Sequence, residues 1–293
     1  MTPLDKTKTK IGFAGLGLMG SAFVQRLAEQ GWSVRIWNRS LEKTQHFAGK
    51  GIPVEKTPTD LAANSDVVLS SLMNDEAAKA VYLGPNGIFS KSKPGLIVLE
   101  MSTLTPSVSE ELHAKAKSLG IQMLDIPVAG STPAVKAGAV TLLAGGSKEL
   151  FDACVPIYES IAKQWFLMGP AGSGVRMKLV VNLLLGVGME AIAESISLGK
   201  SLGIDFETLL SVLSKTAVIG PAFVGKFEKI RTEDYSPQFP LRLMNKDLGL
   251  VLKAAEGQNL SLPAAEAAYQ ITSQVTKEKG DLDLSVITTF LAR

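Results

Sequence analysis

The sequence predicts an α/β protein, a doubly wound and mostly parallel sheet followed by an all-α C-terminal domain, with a long interdomain helix joining the two. Three observations carry that expectation. Short apolar runs alternate with amphipathic segments through the first half, a glycine-rich turn follows the first apolar run, and the texture turns wholly helical after Gly169-Pro170-Ala171-Gly172. Strands alternating with helices of ordinary length imply βαβ units, whose crossovers are right-handed.

Lys10–Ala14 reads as the first strand, Leu18–Gln30 as a helix and Ser33–Trp37 as the second strand. Leu41–Lys50 is helical, and Asp66–Leu72 is a strand after turn material at Pro53–Pro58. Leu96–Leu99 and Gln122–Ile126 are strands separated by a helix over Ser107–Ser118, and Val140–Ala144 and Gln164–Met168 complete the pattern. Beyond lies a helix from Val175 to about Ser201, apolar on almost every side through Leu185, which reads as buried all round and suited to a spine between domains or subunits. Helical segments follow at Phe206–Ser214, Leu243–Glu256 and Pro263–Lys279, with a loop-rich stretch at Val218–Pro240. The boundary falls at about residue 169, giving domains 1–169 and 170–293.

The 293 residues are 46% hydrophobic with a formal net charge of +2, too small to point to nucleic acid or a membrane surface as the main partner. The single cysteine, Cys154, excludes an intramolecular disulfide framework and a cysteine-based zinc site, and its apolar neighbours suit packing rather than reactivity. No metal site is expected. Met1–Lys10 is polar and lysine-rich, unlike a secretory signal. The apolar run Leu179–Met189 contains Asn182 and stops at Glu190, short of the ~20 residues of a membrane span. A cytoplasmic protein is expected.

Gly15-Leu16-Gly17-Leu18-Met19-Gly20 stands between the first strand and the first helix. In a Rossmann-type unit the three glycines make the tight turn, admit a pyrophosphate close to backbone, and let helix and strand pack; the helix N-terminus faces the phosphates. The second strand ends at Asn38-Arg39-Ser40, without the carboxylate that would hold a free ribose 2′-hydroxyl about 20 residues on. Arg39 can pair with a 2′-phosphate and Ser40 can donate to it, so NADPH is expected over NADH. Ser40 would also cap the helix that follows.

Lys178 and Asn182 are four apart and share a helical face among aliphatic neighbours. Spacing alone leaves two readings open: a lysine reaching to solvent from a first turn, or one held at a site.

Four ordered blocks resemble the β-hydroxyacid dehydrogenase family across essentially the whole chain after residue 10. They are Gly12–Gly20; Met101-Ser102-Thr103-Leu104-Thr105-Pro106; Asp125-Ile126-Pro127-Val128-Ala129-Gly130-Ser131 running on to Gly145-Gly146; and Gly172…Lys178…Asn182 with Lys246-Asp247-Leu248 after it. Trp37-Asn38-Arg39-Ser40 and Phe239-Pro240-Leu241 make the plant-type glyoxylate/succinic semialdehyde reductases the most similar subgroup, which is NADPH-dependent. The resemblance implies Lys178 as catalytic acid, with Ser102, Gly130, Ser131, Asn182, Phe239 and Asp247 around the substrate. It implies Gly15, Leu16, Gly17, Leu18, Met19, Gly20, Asn38, Arg39, Ser40, Thr103 and Lys246 at the cofactor. Two departures stand out: Ala129 replaces the usual serine, removing a hydroxyl donor, and Glu100 replaces the usual aspartate, a change expected to matter little.

On that resemblance, reduction of a small aldehyde-acid is expected, with the Lys178 ammonium stabilising and protonating the carbonyl oxygen. An unperturbed lysine, pKa about 10.4, is already protonated near neutrality, so oxidation of the alcohol should prefer alkaline pH. The competing readings are an NAD-dependent 3-hydroxyisobutyrate-type dehydrogenase, a non-catalytic dinucleotide-binding scaffold and an imine reductase. The apolar surface of the 178–202 helix suggests a homo-oligomer, dimer or tetramer. His46 and His113 read as exposed helix positions, Glu190 and Glu194 as a solvated or intersubunit face, and Lys226, Lys229 and Arg231 as a wet loop.

Overall fold

The structure is a computed structural model that describes residues 1–91 and 93–290. It divides into two compact units, Met1–Lys178 and Leu179–Arg293.

In the first unit, β1 (Lys10–Ala14) leads through the glycine turn into α1 (Leu18–Glu29), and β2 (Ser33–Trp37) follows. Leu41–Thr44 is a 3₁₀ turn that continues as α2 (Gln45–Ala48). Ser40 precedes that turn without capping it through its hydroxyl, contrary to the expectation from sequence. α3 (Pro58–Ala63) begins where the sequence reads as turn. Thr57 and Asp60 cap its start reciprocally, and Pro58 fills the first helical position, where its missing N–H costs nothing.

β3 (Val67–Ser70) is followed by α4 (Asp75–Leu83), capped by Asn74, then by β4 (Ile97–Glu100). α5 (Pro106–Ser118) is capped by Thr105, and β5 (Gln122–Asp125) follows. β6 (Val128–Ala129), α6 (Thr132–Lys136), β7 (Val140–Gly145), α7 (Lys148–Ala153), α8 (Val155–Ile161) and β8 (Ala162–Gly169) complete the unit.

The eight strands form one sheet in the order β2-β1-β3-β4-β5-β7-β6, with β8 beside β7. β1 to β5 pair in parallel, as does β7 with β8, whereas β7 runs antiparallel to β5 and β6. The sheet is therefore mixed at one side and parallel elsewhere. Chain order reverses at β1, which places the glycine turn and the start of α1 at the switch point where such sheets bind ligands. β3 and β4 are buried along their whole length and alternate between two cores. Val67, Leu69, Ile97 and Leu99 enter one, and Val68 and Val98 enter the other. That explains why these strands read as unbroken apolar runs. Cys154 lies in the first core, where burial pushes its thiol up to about 12 and leaves it inert.

α9 (Ser173–Ser201) opens at the end of the first unit. Among the described residues it is one helix long and apolar enough to cross a membrane, a property the sequence reading withholds by stopping the run at Glu190. A core helix passes the same test. Nor is α9 buried all round, as the sequence suggests: Val180 and Leu184 are 52% and 71% exposed.

The second unit adds α10 (Phe206–Leu213), α11 (Pro221–Thr232), α12 (Leu241–Glu256), α13 (Pro263–Lys279) and a 3₁₀ segment, Leu284–Thr289. Gly186, Gly188 and Gly199 on α9 let Leu248, Phe223 and Leu209 sit where a side chain would stand, within 2.6–2.8 Å of an added Cβ. Close helix packing thus offsets the roughly 1 kcal/mol that each helical glycine costs.

α11 corrects the loop-rich reading of Val218–Pro240, and with it the reading of its lysines as wet. Lys226 and Lys229 are buried. Lys226 Nζ donates to both oxygens of buried Asp283 at 2.9 Å, and Lys229 Nζ donates to the carbonyls of Asp234 and Ser236 at 3.1 and 2.8 Å. Burial pulls the Lys226 ammonium below its ordinary value against the attraction of Asp283. Burial pushes Asp283 up, but Lys226 and the N–H groups around it hold it below the usual carboxylate range. Arg231, by contrast, pairs with Glu207 and Glu228 at the surface.

Candidate active site

The glycine turn is shaped for more than a change of direction. Gly15 has φ +97°, in the region that favours glycine, and a Cβ there would overlap the Ser71 carbonyl. A Cβ on Gly20 would overlap the Gly15 carbonyl, so helix and strand meet backbone to backbone. Gly17 is different: it is exposed, with nothing within 4 Å of an added Cβ. It is the N-cap of α1 and offers no side chain to the helix N–H groups. Open space beside an uncapped helix start fits a pyrophosphate, and the residues present are those that would hold one.

Asn38 ties this turn to the end of β2. Its Oδ1 accepts from Leu16 N at 2.8 Å and its Nδ2 donates to the Ser40 carbonyl at 2.9 Å. Arg39 and Ser40 are exposed beside it, Leu16 is buried, Leu18 is exposed and Met19 is half-buried. Asn38 therefore shapes the turn, while Arg39 faces solvent at the position next to it.

Ser102 is buried, and its hydroxyl accepts from Leu72 N at 2.7 Å. Its own N–H donates to Glu100 at 2.7 Å, and Glu100 also takes the Ser70 hydroxyl, which meets Tyr82 Oη at 2.6 Å. Burial pushes the Glu100 carboxyl up, opposed by the hydrogen bonds from Ser102 and Ser70. Glu100, which stands where an aspartate is usual, is the hub that fixes the Ser102 loop. Thr103 follows, half-buried. Gly130 is exposed with φ +153°, and Ser131 beside it starts α6 without capping it through its side chain.

Lys178 is 8% exposed, within the second turn of α9. The start of α9 hangs on fully buried Asp125, the last residue of β5. One oxygen accepts from Gly172 N at 2.7 Å, the other from Val175 N at 3.0 Å. His113 Nε2 lies 2.9 Å from the first oxygen, so this histidine is not the exposed helix position expected of it. Sequence spacing gave no hint of the pairing, because His113 on α5 and Asp125 on β5 belong to different elements.

In the second unit Asn182 is fully buried. Its Nδ2 donates to Asp247 Oδ2 at 2.6 Å, and its Oδ1 has no hydrogen-bond partner. Lys246 Nζ lies 2.8 Å from the other oxygen of Asp247. The open Asn182 atom is an acceptor, which suits a hydroxyl or ammonium donor. Phe239 is half-buried, its N–H held by Asp283 at 3.2 Å. An open groove of about 840 Å³ between Leu252, Glu256, Leu260 and Tyr269 contains none of these residues.

Residues 10–169 match the model described as the NAD-binding domain of 6-phosphogluconate dehydrogenase, and residues 172–291 match that of the NAD-binding region of NADP-dependent 3-hydroxyisobutyrate dehydrogenase. Glyoxylate/succinic semialdehyde reductase 1 of Arabidopsis thaliana is 31% identical over 95% of this chain and 96% of its own. The chain belongs to the β-hydroxyacid dehydrogenase family. A solved structure of the Mycobacterium tuberculosis 3-hydroxyisobutyrate dehydrogenase with L-serine, 28% identical, superposes with a TM-score of 0.84 over 97% of this chain and 99% of that one. Human cytokine-like nuclear factor N-PAC is 32% identical over 98% of this chain, which spans about half (52%) of N-PAC. This is a family of NAD(P)-dependent oxidoreductases, and the mixed sheet followed by a helical domain is its architecture.

Proposed function

We propose that the protein reduces small aldehyde-acids, glyoxylate and succinic semialdehyde first among them, to hydroxy acids with NADPH, Lys178 serving as the general acid. The observation that carries the reading is a lysine held almost out of solvent on an anchored helix start. Such a cation is costly to bury and is kept where it has work to do. NADPH, when bound, supplies the hydride that the carbonyl carbon accepts. Lys178 Nζ stabilises the negative charge growing on the carbonyl oxygen and gives that oxygen a proton. The open Oδ1 of Asn182 suits the hydroxyl so formed, and Asp247 holds the amide in the orientation that keeps Oδ1 available. Gly17 and the start of α1 bind the pyrophosphate, Arg39 and Ser40 the 2′-phosphate, and Thr103 and Lys246 other parts of the cofactor. On the resemblance, Gly130 and Ser131 hold the substrate carboxylate.

The preference for NADPH rests on Arg39 and on the absence of a carboxylate at the end of β2. The similarity to the Arabidopsis reductase favours glyoxylate and succinic semialdehyde. The exposed Val180 and Leu184 favour a homo-oligomer. A second reading, a non-catalytic dinucleotide-binding scaffold, is favoured by the similarity to N-PAC. Steady-state turnover with the two aldehyde-acids, NADPH against NADH, separates them. NADPH-selective reduction supports the first reading. NADPH binding with no turnover across an aldehyde and ketone panel supports the second.

A further inference from the structure

We infer that Asp125 and His113 form a positioning pair for Lys178, a proposal that rests on the reading of Lys178 given above. A helix start leaves backbone N–H groups without partners, and a Ser, Thr, Asp or Asn at the N-cap normally satisfies one of them. The residue before α9 is Gly172, which has no side chain to offer. The missing acceptor arrives from β5 instead. Asp125 takes the N–H of Gly172 on one oxygen and that of Val175 on the other, spanning the first turn of the helix. Its charge also lies at the positive end of the helix dipole.

Two further features make this clamp stiff. Gly145 and Gly174 wall in the carboxylate: an added Cβ on Gly145 would stand 2.6 Å from one oxygen, and one on Gly174 would stand 2.9 Å from the other. His113 Nε2 faces an oxygen that already accepts from Gly172, so Nε2 is the protonated nitrogen and donates to it. The carboxylate therefore cannot rotate without losing all three donors. Lys178 lies three residues beyond Val175, within one turn of the clamped amide. Any slip or rotation of the first turn is passed to the ammonium, and a misplacement of about 1 Å in a reacting group can cost about 10²-fold in rate.

The test compares Asp125→Asn, His113→Leu and His113→Gln with the wild type. Asparagine keeps one acceptor and turns a donor toward an N–H, whereas glutamine at 113 keeps a donor for Asp125 and leucine does not. In Asp125→Asn, kcat with NADPH should fall about tenfold or more while the Kd for NADPH stays within about twofold. The primary deuterium isotope effect from 4-deuterated NADPH should rise as the chemical step becomes limiting. Hydrogen exchange at the Val175 amide of the cofactor-free protein should speed up by at least about tenfold. His113→Leu should lose kcat severalfold and His113→Gln should retain it. Unchanged Val175 exchange, or an unchanged kcat in folded Asp125→Asn beside an active wild type, overturns the pair's role alone. If Asp125→Asn does not fold, the two histidine variants decide: equal kcat in both overturns it. A wild type inactive on every small aldehyde-acid overturns the reading of Lys178, and this proposal with it.

Discussion

Lys178 and Glu190 sit about three turns apart on α9 and both are nearly out of solvent, but chemistry is proposed for Lys178 alone. Glu190 is 6% exposed and neither carboxylate oxygen has a hydrogen-bond partner, which corrects the solvated alternative in its reading as a solvated or intersubunit face. Burial, with Glu194 nearby, raises its pKa from 4.5 to about 7. A carboxyl whose folded pKa lies above its unfolded one costs stability as pH rises. The cost begins near the unfolded value of 4.5 and is complete above about 7. Glu190→Gln should therefore raise Tm clearly at pH 8 and much less at pH 5, as scanning calorimetry at the two pH values would show. An equal gain at both would contradict this assignment. Arg39 gives a second prediction at this scale. Arg39→Ala should raise the KM for NADPH by about tenfold to hundredfold, the equivalent of about 1.5–3 kcal/mol for hydrogen bonds to a charged group, and leave NADH kinetics nearly unchanged. Such local chemistry is what a sequence displays best. Gly17, Arg39 and Lys178 could be singled out because their neighbours in the chain define their surroundings. The environments of His113, Lys226 and Glu100 could not, because each is completed by a residue from another element.

At the scale of elements the same distinction holds. β1, β2 and α13 begin and end where the sequence places them, since each is a continuous apolar or amphipathic run bounded by turn residues. α3, α6, α7 and α8 were not legible, because five to seven residues give too little periodicity and their starts depend on proline and cap chemistry. α11 was hidden by Gly220, Pro221 and Gly225. The turn between β1 and α1 separates binding from folding. Gly17→Ala should fold normally, because open space surrounds the added methyl, and should weaken NADPH binding by about tenfold if a pyrophosphate lies there. Gly20→Ala should instead lower Tm, since its methyl meets the Gly15 carbonyl and overpacking costs about 1–3 kcal/mol. Fluorescence titration and thermal melts on the two variants would resolve these effects. Equal behaviour in both would contradict the distinct roles.

At the scale of the whole chain, each unit has its own core and its own anchoring device. The first is organised by a sheet buried on both faces, and the second by helices packed on α9 around the Lys226–Asp283 pair. Asp283 also holds the N–H groups of Gln238 and Phe239, so the pair fixes a segment as well as a charge. Asp283→Ala strands a buried ammonium and should cost about 3–5 kcal/mol in a denaturant titration, where a loss below about 1 kcal/mol would show the pair to be dispensable. The sequence announced the division into a sheet and a helical domain. It could not announce the exposed side of α9, because an apolar run looks alike whether the chain or a second copy covers it.

Removing the Lys178 ammonium while leaving the cofactor end intact is the most direct test of the proposed chemistry. NADPH oxidation by Lys178→Ala should be followed with glyoxylate and succinic semialdehyde beside the wild type, with NADPH binding measured on the same samples. The expected result is near-complete loss of kcat with the Kd for NADPH essentially unchanged. Turnover near that of the wild type in Lys178→Ala would contradict the assignment of Lys178 as proton donor.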